Sequence, residues 1–231
     1  MSLVEFKNVY KKFDDIEILK DVNFTINKGQ IVGLLGKNGM GKTTIIKLMN
    51  DLLTPASGTI LIDGNEVGVA TKKKISYLPE RSYLDKNMTI KQIMKFFIDF
   101  YDDFNIEKAK KLLVDLNLNE NQSLSKMSKG MIEKLQLILV MSRDVDLYIL
   151  DEPLGGVDPA TRDYIIDTIL NNFNNGASII ISTHLIQDIE RILDYVIFVN
   201  KGEIALAKDA EELRVEYNDS IDNIFRGMFK C

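Results

Sequence analysis

A glycine-rich segment between a strand pattern and a helix pattern constrains the fold of this 231-residue chain more than any other feature. Ile31–Leu35 is a continuous apolar run, which is typical of a strand buried on both faces. The next segment, residues 36–43, reads GKNGMGKT and matches the pattern G-x-x-x-x-G-K-[S/T]. A helix pattern follows over residues 44–53. Together, the strand, turn and helix predict an α/β chain.

The glycine-rich segment has the chemistry of a phosphate-binding loop. Glycines let backbone N–H groups converge on phosphate oxygens, and the N-terminus of the following helix adds a positive dipole. We expect Lys42 to reach the β- and γ-phosphates of a nucleotide and the Thr43 hydroxyl to bind Mg²⁺. The alternative is a glycine-rich turn without a nucleotide. The other candidate nucleotide contacts are Gly36, Lys37, Asn38, Gly39, Met40, Gly41 and Thr44.

A second apolar run ends in two acidic residues. Residues 147–150 read LYIL, and Asp151 and Glu152 follow directly. Such a strand delivers Asp151 to the carboxyl end of a sheet, where it can hold Mg²⁺ through water. Glu152 is then placed to polarise an attacking water as a general base. An apolar strand that ends in Asp-Glu is weak evidence by itself, but it becomes strong when paired with the loop at 36–43.

Strand and helix patterns alternate at both ends of the chain, which predicts a parallel sheet with crossover helices. The middle third has helical spacing, first over residues 88–118 and then over 131–141, and reads as an insertion. We therefore predict a single domain over residues 1–231. Its predicted parts are an α/β core with a β subdomain (1–80 and 144–205), a helical subdomain (81–143) and a C-terminal tail (206–231).

Composition excludes several other classes of protein. The net charge of −5 and the pI of about 5.1 argue against a dedicated nucleic-acid surface, so no nucleic-acid partner is expected. The single cysteine, Cys231, has no partner for an internal disulfide. The sequence contains no apolar run near the ~18 residues that a membrane-spanning helix requires.

Five more short segments complete the pattern. They are Phe13, ISYLPE at 75–80, MSKGM at 127–131, LGGVDP at 154–159 and STH at 182–184. With the loop and the acidic pair, they resemble the ATP-binding cassette (ABC) ATPases in order, over nearly the whole chain. The resemblance implies a P-loop NTPase (RecA-like) core with a largely parallel sheet, an N-terminal antiparallel β subdomain and an inserted α-helical subdomain. It also identifies 75–80 as the loop that leads into the helical subdomain.

The resemblance assigns roles to three single residues. Phe13 corresponds to an aromatic residue that stacks on adenine, although it could also be a core phenylalanine. Glu80 would approach Mg²⁺ or the attacking water, although it could also be a surface acid. His184 corresponds to the switch histidine, which contacts the γ-phosphate or the water. Together with Lys42 and Glu152, His184 completes the predicted catalytic group.

Two further segments are implied to act across a dimer of cassettes. Ser128, Lys129, Gly130 and Met131 would bind in trans the nucleotide held by a second ABC ATPase subunit. Gly156 and Asp158 fall in the implied D-loop at the same dimer contact. Without the resemblance, Ser128 reads as a plain helix N-cap, and Asp158 can also be an N-cap.

The chain departs from the family pattern at three positions. The family often has Gln where this chain has Glu80, a glycine where it has Lys129, and Gln where it has Met131. The resulting signature resembles those of exporters of drugs, peptides and lipids. The implied protein uses ATP and Mg²⁺ and powers separate integral-membrane permease subunits at the cytoplasmic face of a bacterial plasma membrane.

Two alternatives belong to other classes of function. One is a soluble ATP-dependent clamp that acts on nucleic acid or ribosomes, which the acidic charge opposes. The other is a hydrolysis-deficient regulatory cassette in a heterodimer. The intact residues Lys42, Asp151, Glu152 and His184 oppose this second alternative, whereas the altered signature leaves room for it.

Overall fold

Two β-sheets and a group of helices make up the computed structural model of the chain, which describes residues 1–155, 157, 159–174 and 176–229. The strands are β1 (Ser2–Phe13), β2 (Ile16–Asn27), β3 (Ile31–Leu35), β4 (Ser57–Ile62), β5 (Asn65–Glu66), β6 (Ile75–Leu78), β7 (Leu147–Asp151), β8 (Ser178–Thr183), β9 (Tyr195–Asn200) and β10 (Glu203–Asp209). The helices are α1 (Lys42–Met49), α2 (Val69–Lys72), α3 (Ile90–Phe100), α4 (Ile106–Asp115), α5 (Lys129–Met141), α6 (Pro159–Asn172), α7 (Ile186–Ile189), α8 (Ala210–Tyr217) and α9 (Ile221–Phe229). Short 3-10 helices span Leu124–Lys126 and Glu190–Ile192.

The larger sheet has six strands in the order β10-β9-β3-β8-β7-β6. All neighbouring pairs are parallel except β10 and β9, which are antiparallel. Every residue of β7 and β8 is buried, because helices and the second sheet cover both faces. The smaller sheet is antiparallel in the order β2-β1-β4-β5, and its β4–β5 turn uses Asp63 and Gly64 at positive φ.

Three apolar clusters hold these layers together. One lies between the small sheet, α1 and one face of the large sheet, and includes the stacked rings of Phe6 and Phe24, whose centroids are 4.4 Å apart. The second covers the opposite face of the large sheet with residues of α6, α8 and α9. The third is formed by α3, α4 and one face of α5, and gives the inserted helices a core of their own.

Local capping explains where the inserted helices begin. Thr89 and Gln92 form a capping box at α3, in which the Thr89 hydroxyl accepts from the Gln92 N–H and the Gln92 side-chain oxygen accepts from the Thr89 N–H. Asn105 caps α4 through a 3.0 Å bond from the Lys108 N–H. Ser128 caps α5 by accepting from the Met131 N–H at 3.3 Å.

A buried arginine joins the inserted helices to the large sheet. Arg143 follows α5, and its guanidinium donates to both carboxylate oxygens of Asp103 at 2.8 and 2.7 Å. The same group donates to the Ile75 carbonyl of the edge strand at 2.7 Å and lies 3.9 Å from the centroid of the Tyr101 ring. The end of α5 is therefore fixed against the first residue of β6.

The mainly parallel large sheet, the antiparallel small sheet and the inserted helices agree with the predicted fold class, and three local predictions need correction. The segment 75–80 was expected to be a loop, but its first four residues form β6, because they pair in parallel with the buried strand β7. The helical pattern from 88 to 118 is two helices, separated by a turn around 101–105. The sheet also continues past residue 205, since β10 pairs with β9 through Asp209. Within the described residues, no helix is both long and apolar enough to cross a membrane.

Candidate functional site

The carboxyl ends of three parallel strands bring the predicted site residues to one edge of the large sheet. Leu35, the last residue of β3, lies beside Thr183 of β8. Asp151, the last residue of β7, lies beside Ser182 of β8. The phosphate-loop segment, the acidic pair and His184 follow these strand ends directly. Open α/β sheets bind ligands at this position, in the crevice beyond the strand ends.

The backbone of the phosphate-loop segment needs glycine where it turns into α1. Gly41 has φ 108°, and a Cβ atom there would lie 2.8 Å from the Leu19 side chain. Lys42 is the first residue of α1 and is only 5% exposed. Its ammonium group donates to the Gly36 carbonyl at 2.7 Å and to the Lys37 carbonyl at 3.3 Å. The cation is therefore folded back over the loop whose N–H groups we predict to hold phosphate.

Asp151 is a buried carboxylate with one satisfied oxygen. Its Oδ1 atom accepts from the Ser182 hydroxyl and, at 3.5 Å, from the Thr43 hydroxyl. Its Oδ2 atom is buried and has no hydrogen-bond partner among the described residues. Burial raises the pKa of Asp151, and the neighbouring charges of Glu152 and Glu80 raise it further, although the hydrogen bonds from Ser182 and Thr43 oppose the shift.

Glu152 lies between two basic groups because its backbone turns sharply after β7. The residue has φ 50°, an uncommon left-handed conformation that the 3.0 Å hydrogen bond from its N–H to the Ser182 carbonyl supports. Its Oε1 atom is 3.3 Å from the Lys42 ammonium, and its Oε2 atom is 3.0 Å from His184 Nδ1. The Lys42 contact is an ion pair without hydrogen-bond geometry, which leaves Oε1 without a hydrogen-bond partner in the described part of the chain.

These groups line a cleft of about 920 Å³ between the large sheet and α5. One wall carries the phosphate loop and the acidic pair, and the opposite wall is formed by the residues after β6 and one face of α5. The charged and polar residues of the lining are Asn38, Lys42, Thr43, Thr44, Glu80, Arg81, Ser82, Lys86, Lys129, Glu133, Gln136, Asp151, Glu152 and His184.

The chemistry of two adjoining residues fits a magnesium ion. Thr43 and Asp151 supply a hydroxyl and a carboxylate, which are the oxygen ligands that Mg²⁺ prefers. The Asp151 Oδ2 atom, buried without a partner in the described chain, is the group that a cation or its bound water would satisfy. Glu80 lines the same cleft, but its side chain is exposed, so its metal role stays a prediction.

The signature residues form the exposed start of α5. Ser128 is exposed while it caps the helix, and Gly130 has open space where a Cβ atom would lie. The Lys129 side chain is 79% exposed and reaches within 3.5 Å of Glu133. Ser128, Lys129 and Gly130 are therefore accessible to a second subunit, whereas Met131 is partly buried against the inserted helices, and the role of all four in trans stays a prediction. Gly156 and Asp158 of the implied D-loop lie outside the described residues.

Phe13 is at the end of the β1–β2 hairpin and is not a core residue. Its side chain is 43% exposed, and the Lys11 ammonium lies 5.0 Å from the ring centroid. Within the described residues, the small sheet lines the cleft through Ile18 and not through Phe13. The ring is accessible for stacking on a base, and the predicted contact with adenine stays a prediction.

Two polar residues of the site carried no predicted role. Ser182 holds Asp151, and its position at the end of the strand next to β7 was the signal that could have found it. Gln136 lines the cleft from α5 and is 3% exposed. Its signal was a lone amide within the otherwise apolar run of residues 135–141.

Comparison with known proteins connects this geometry to one family. The family model described as ABC transporter matches residues 19–155, which is more than half of the chain. The chain is 33% identical over 218 residues to the ABC transporter ATP-binding protein YtrB of Bacillus subtilis (strain 168), covering 93% of this chain and 75% of YtrB. It is 30% identical over 210 residues to the SkfA peptide export ATP-binding protein SkfE of the same organism, covering 88% of each.

A solved structure described as the ATP binding subunit of an ABC transporter superposes on this one with a TM-score of 0.89. The superposition covers 98% of this chain and 99% of that chain, at 25% sequence identity. The family match, the identity to YtrB and the shared fold agree with the phosphate loop and acidic pair at the strand ends. The chain therefore belongs to the ABC transporter family and is an ATP-binding subunit of that family.

Proposed function

We propose that this chain hydrolyses ATP and thereby powers a separate membrane permease. The observation that carries the proposal is the position of Glu152, whose carboxylate lies 3.3 Å from the Lys42 ammonium and 3.0 Å from His184 Nδ1 at the cleft. A carboxylate held between two basic groups, beside a predicted phosphate loop, has the arrangement of a general base for water attack on a phosphoryl group.

The contacts of Lys42 explain how nucleotide binding prepares the base. In the structure, Lys42 interacts with the Gly36 carbonyl and with Glu152. Phosphate oxygens would compete for the same ammonium, and Glu152 would then keep His184 as its partner. His184 would orient the Glu152 carboxylate, which accepts the proton of the attacking water, while Lys42 stabilises the charge on the phosphoryl oxygens.

Thr43 and Asp151 are the residues that would hold Mg²⁺. When bound, the ion supplies positive charge that neutralises the phosphate oxygens. The other residues of the predicted nucleotide site are the phosphate-loop residues, Phe13 and Glu80. Ser128 to Met131 and the implied D-loop are proposed to complete the site of a second cassette, in a homodimer or heterodimer. The proposed location is the cytoplasmic face of a bacterial plasma membrane, beside the permease.

We further propose that the permease is an exporter of peptides, drugs or lipids. The signature segment from Ser128 to Met131 supports this, because its form resembles that of exporter cassettes. The similarity to SkfE, which is described as a peptide export protein, supports it as well. Co-purification of the full-length chain with its membrane subunit, followed by transport assays with candidate peptides in inverted vesicles, tests the direction and the class of cargo.

The experiment that tests hydrolysis is the Glu152→Gln variant. The substitution keeps the shape of the side chain and removes its basicity, so we expect phosphate release to fall at least about 100-fold. Binding of a fluorescent ATP analogue should stay within about threefold of wild type, because the predicted phosphate loop is untouched. The matched control is Glu107→Gln on α4, where the carboxylate is 79% exposed and far from the cleft.

Each contrary result has a definite meaning. Turnover at the wild-type rate in Glu152→Gln would remove Glu152 as the base. A wild-type protein that binds ATP but releases no phosphate, alone and with its membrane subunit, would instead favour the hydrolysis-deficient regulatory cassette.

A further inference from the structure

A buried amide on the cleft wall has no partner in the described part of the chain. Gln136 lies in the middle of α5 and is 3% exposed. Its side-chain nitrogen, Nε2, is buried and makes no hydrogen bond with the residues that the structure describes. Buried donors in native proteins nearly always have an acceptor. Because Gln136 also lines the cleft, a ligand, a water molecule or a group that moves toward it can supply the acceptor.

The packing of α5 against β6 shows where this amide points. The Ser76 hydroxyl donates to the Val140 carbonyl at 2.8 Å, which fixes the level of the two elements. The strand advances about 7 Å toward the cleft over the two residues from Ser76 to Leu78. The helix runs in the opposite direction, and the four residues from Val140 back to Gln136 cover about 6 Å toward the cleft. Gln136 is therefore level with Leu78. Helical side chains tilt toward the N-terminus of their helix, so the amide points toward the next level, that of Glu80.

Among the carboxylates that line the cleft, Glu80 is the one without a hydrogen bond or ion pair to the described residues. Glu152 interacts with Lys42 and His184, and Glu133 faces Lys129. The free oxygen of Asp151 is the one that suits a cation. Glu80 lines the same cleft as Gln136, and its side chain forms no hydrogen bond or ion pair with the described residues. The Gln136 amide and the Glu80 carboxylate, neither of which has a hydrogen-bond partner among the described residues, thus lie on the same wall of the cleft.

We propose that Gln136 is a positioning residue that donates a hydrogen bond from Nε2 to the carboxylate of Glu80 in the nucleotide-bound protein. This inference rests on the proposed ATP-dependent function. The pairing would link two functional positions of α5, because the helix begins at the signature residues and carries Gln136 two turns later. A movement of α5 when the signature engages a partner's nucleotide would therefore move Glu80 within the cleft.

The first test is the Gln136→Leu variant, which keeps the approximate size of the side chain and removes the donor. We expect kcat for ATP to fall about tenfold and KM to stay within about twofold, since the hydrogen bond is to a charged group that acts after binding. Glu80→Ala should give a similar loss. The double variant should lose little more than either single variant, because both remove the same interaction.

The matched control is Ser142→Ala. The Ser142 hydroxyl is also buried without a hydrogen-bond partner among the described residues, but it lies at the far end of α5 and outside the cleft lining. We expect its kcat to equal that of wild type. If Gln136→Leu behaves like Ser142→Ala, or if the losses of Gln136→Leu and Glu80→Ala add fully, the proposed pairing is wrong.

Hydrogen exchange gives a readout that does not depend on turnover. In the Glu152→Gln background, saturating ATP should slow exchange of the backbone amides at 80–86, and adding Gln136→Leu or Gln136→Met should remove most of that slowing. Unchanged slowing in both variants would overturn the inference. A wild-type protein without hydrolysis but with this Gln136-dependent slowing would contradict the proposed hydrolysis and leave the pairing supported.

Discussion

Two aspartates, at opposite ends of the central strands, experience opposite electrostatic environments. Asp151 lies at the carboxyl end of β7, where burial raises its pKa. Asp63 lies near the amino ends of β3 and β6, beside Lys28 at 2.6 Å and beside Lys74. Hydrogen bonds from those two lysines lower the pKa of Asp63 to about 2. The environment of Asp63 therefore stabilises the ionised carboxylate, whereas the environment of Asp151 destabilises it.

The difference is the one expected between a structural acid and an acid that binds a ligand. Asp63 joins the small sheet to the segments that precede β3 and β6, because its carboxylate forms ion pairs with Lys28 and Lys74. Asp151 has no ion pair with the described residues, and one of its oxygens is buried without a partner. A buried, unpaired carboxylate costs stability, so it is expected where a ligand supplies the missing charge. The predictions that follow test whether the two ends differ in this way.

The largest expected effect is that of Asp151→Asn. We expect hydrolysis to fall at least about 100-fold, since the predicted ligand of Mg²⁺ loses its charge. The nucleotide-free protein should become more stable by about 1 kcal/mol, because a group whose folded-state pKa is raised opposes folding once it ionises. Phosphate release and urea unfolding at neutral pH measure the two effects. A clear loss of stability would show that Asp151 is a structural acid like Asp63.

The next effect is on stability alone. Asp63→Asn should lower the free energy of unfolding by about 1 kcal/mol at neutral pH, a modest value because the ion pairs are partly exposed. The pKa of Asp63 is lowered from 3.8 to about 2 on folding, so its contribution is present above the first value and disappears as the pH falls through the second. The stability difference from wild type, measured by urea unfolding, should therefore shrink over that range.

The matched control for this variant is Asp146→Asn. Asp146 is 57% exposed and lies 3.9 Å from Lys74, so its loss should change the unfolding free energy little. A difference between Asp63→Asn and wild type that stays constant down to pH values near 2 would contradict the assigned ion-pair role.

The smallest effect concerns the serine that holds Asp151. Ser182→Ala removes the hydroxyl that donates to Asp151, and we expect Mg²⁺-dependent ATP affinity to fall about threefold, the effect of losing one hydrogen bond. The control lies at the other end of the same strand, where the Gly29 N–H donates to the Ser178 hydroxyl at 2.8 Å. Ser178→Ala should lower stability and leave the Mg²⁺ response unchanged. Equal Mg²⁺ titrations of the two variants would contradict the role given to Ser182.

Most of the fold was predictable from short segments of sequence. The buried strands β3, β7 and β8 appear as continuous apolar runs, and the hairpin at β4 and β5 has its turn residues Asp63 and Gly64. The strand β6 was missed because it is short and ends in the distinctive residues Pro79 and Glu80. Its strand character depends on pairing with β7, which is distant in sequence.

The site was predictable to the level of residue identity but not of contacts. The phosphate-loop pattern and the Asp151-Glu152 pair predicted a set of site residues that the structure brings together at one cleft. The partners of those residues were not visible, because Ser182 reaches Asp151 only through the register of β8 beside β7. The Gln136 amide, which has no partner among the described residues, was not predictable either, because a helix pattern does not show which polar side chains have hydrogen-bond partners.

The sequence by itself determined the α/β class, the phosphate-loop pattern and the acidic pair, because hydrophobic periodicity and glycine-dependent turns are local properties of the chain. The tertiary structure decided that Glu152 lies between Lys42 and His184, that one oxygen of Asp151 has no partner among the described residues, and that Gln136 lines the cleft. These relations depend on strand order, register and the level at which α5 packs on β6. Those quantities arise from contacts between segments that are far apart in the chain, so no local pattern encodes them.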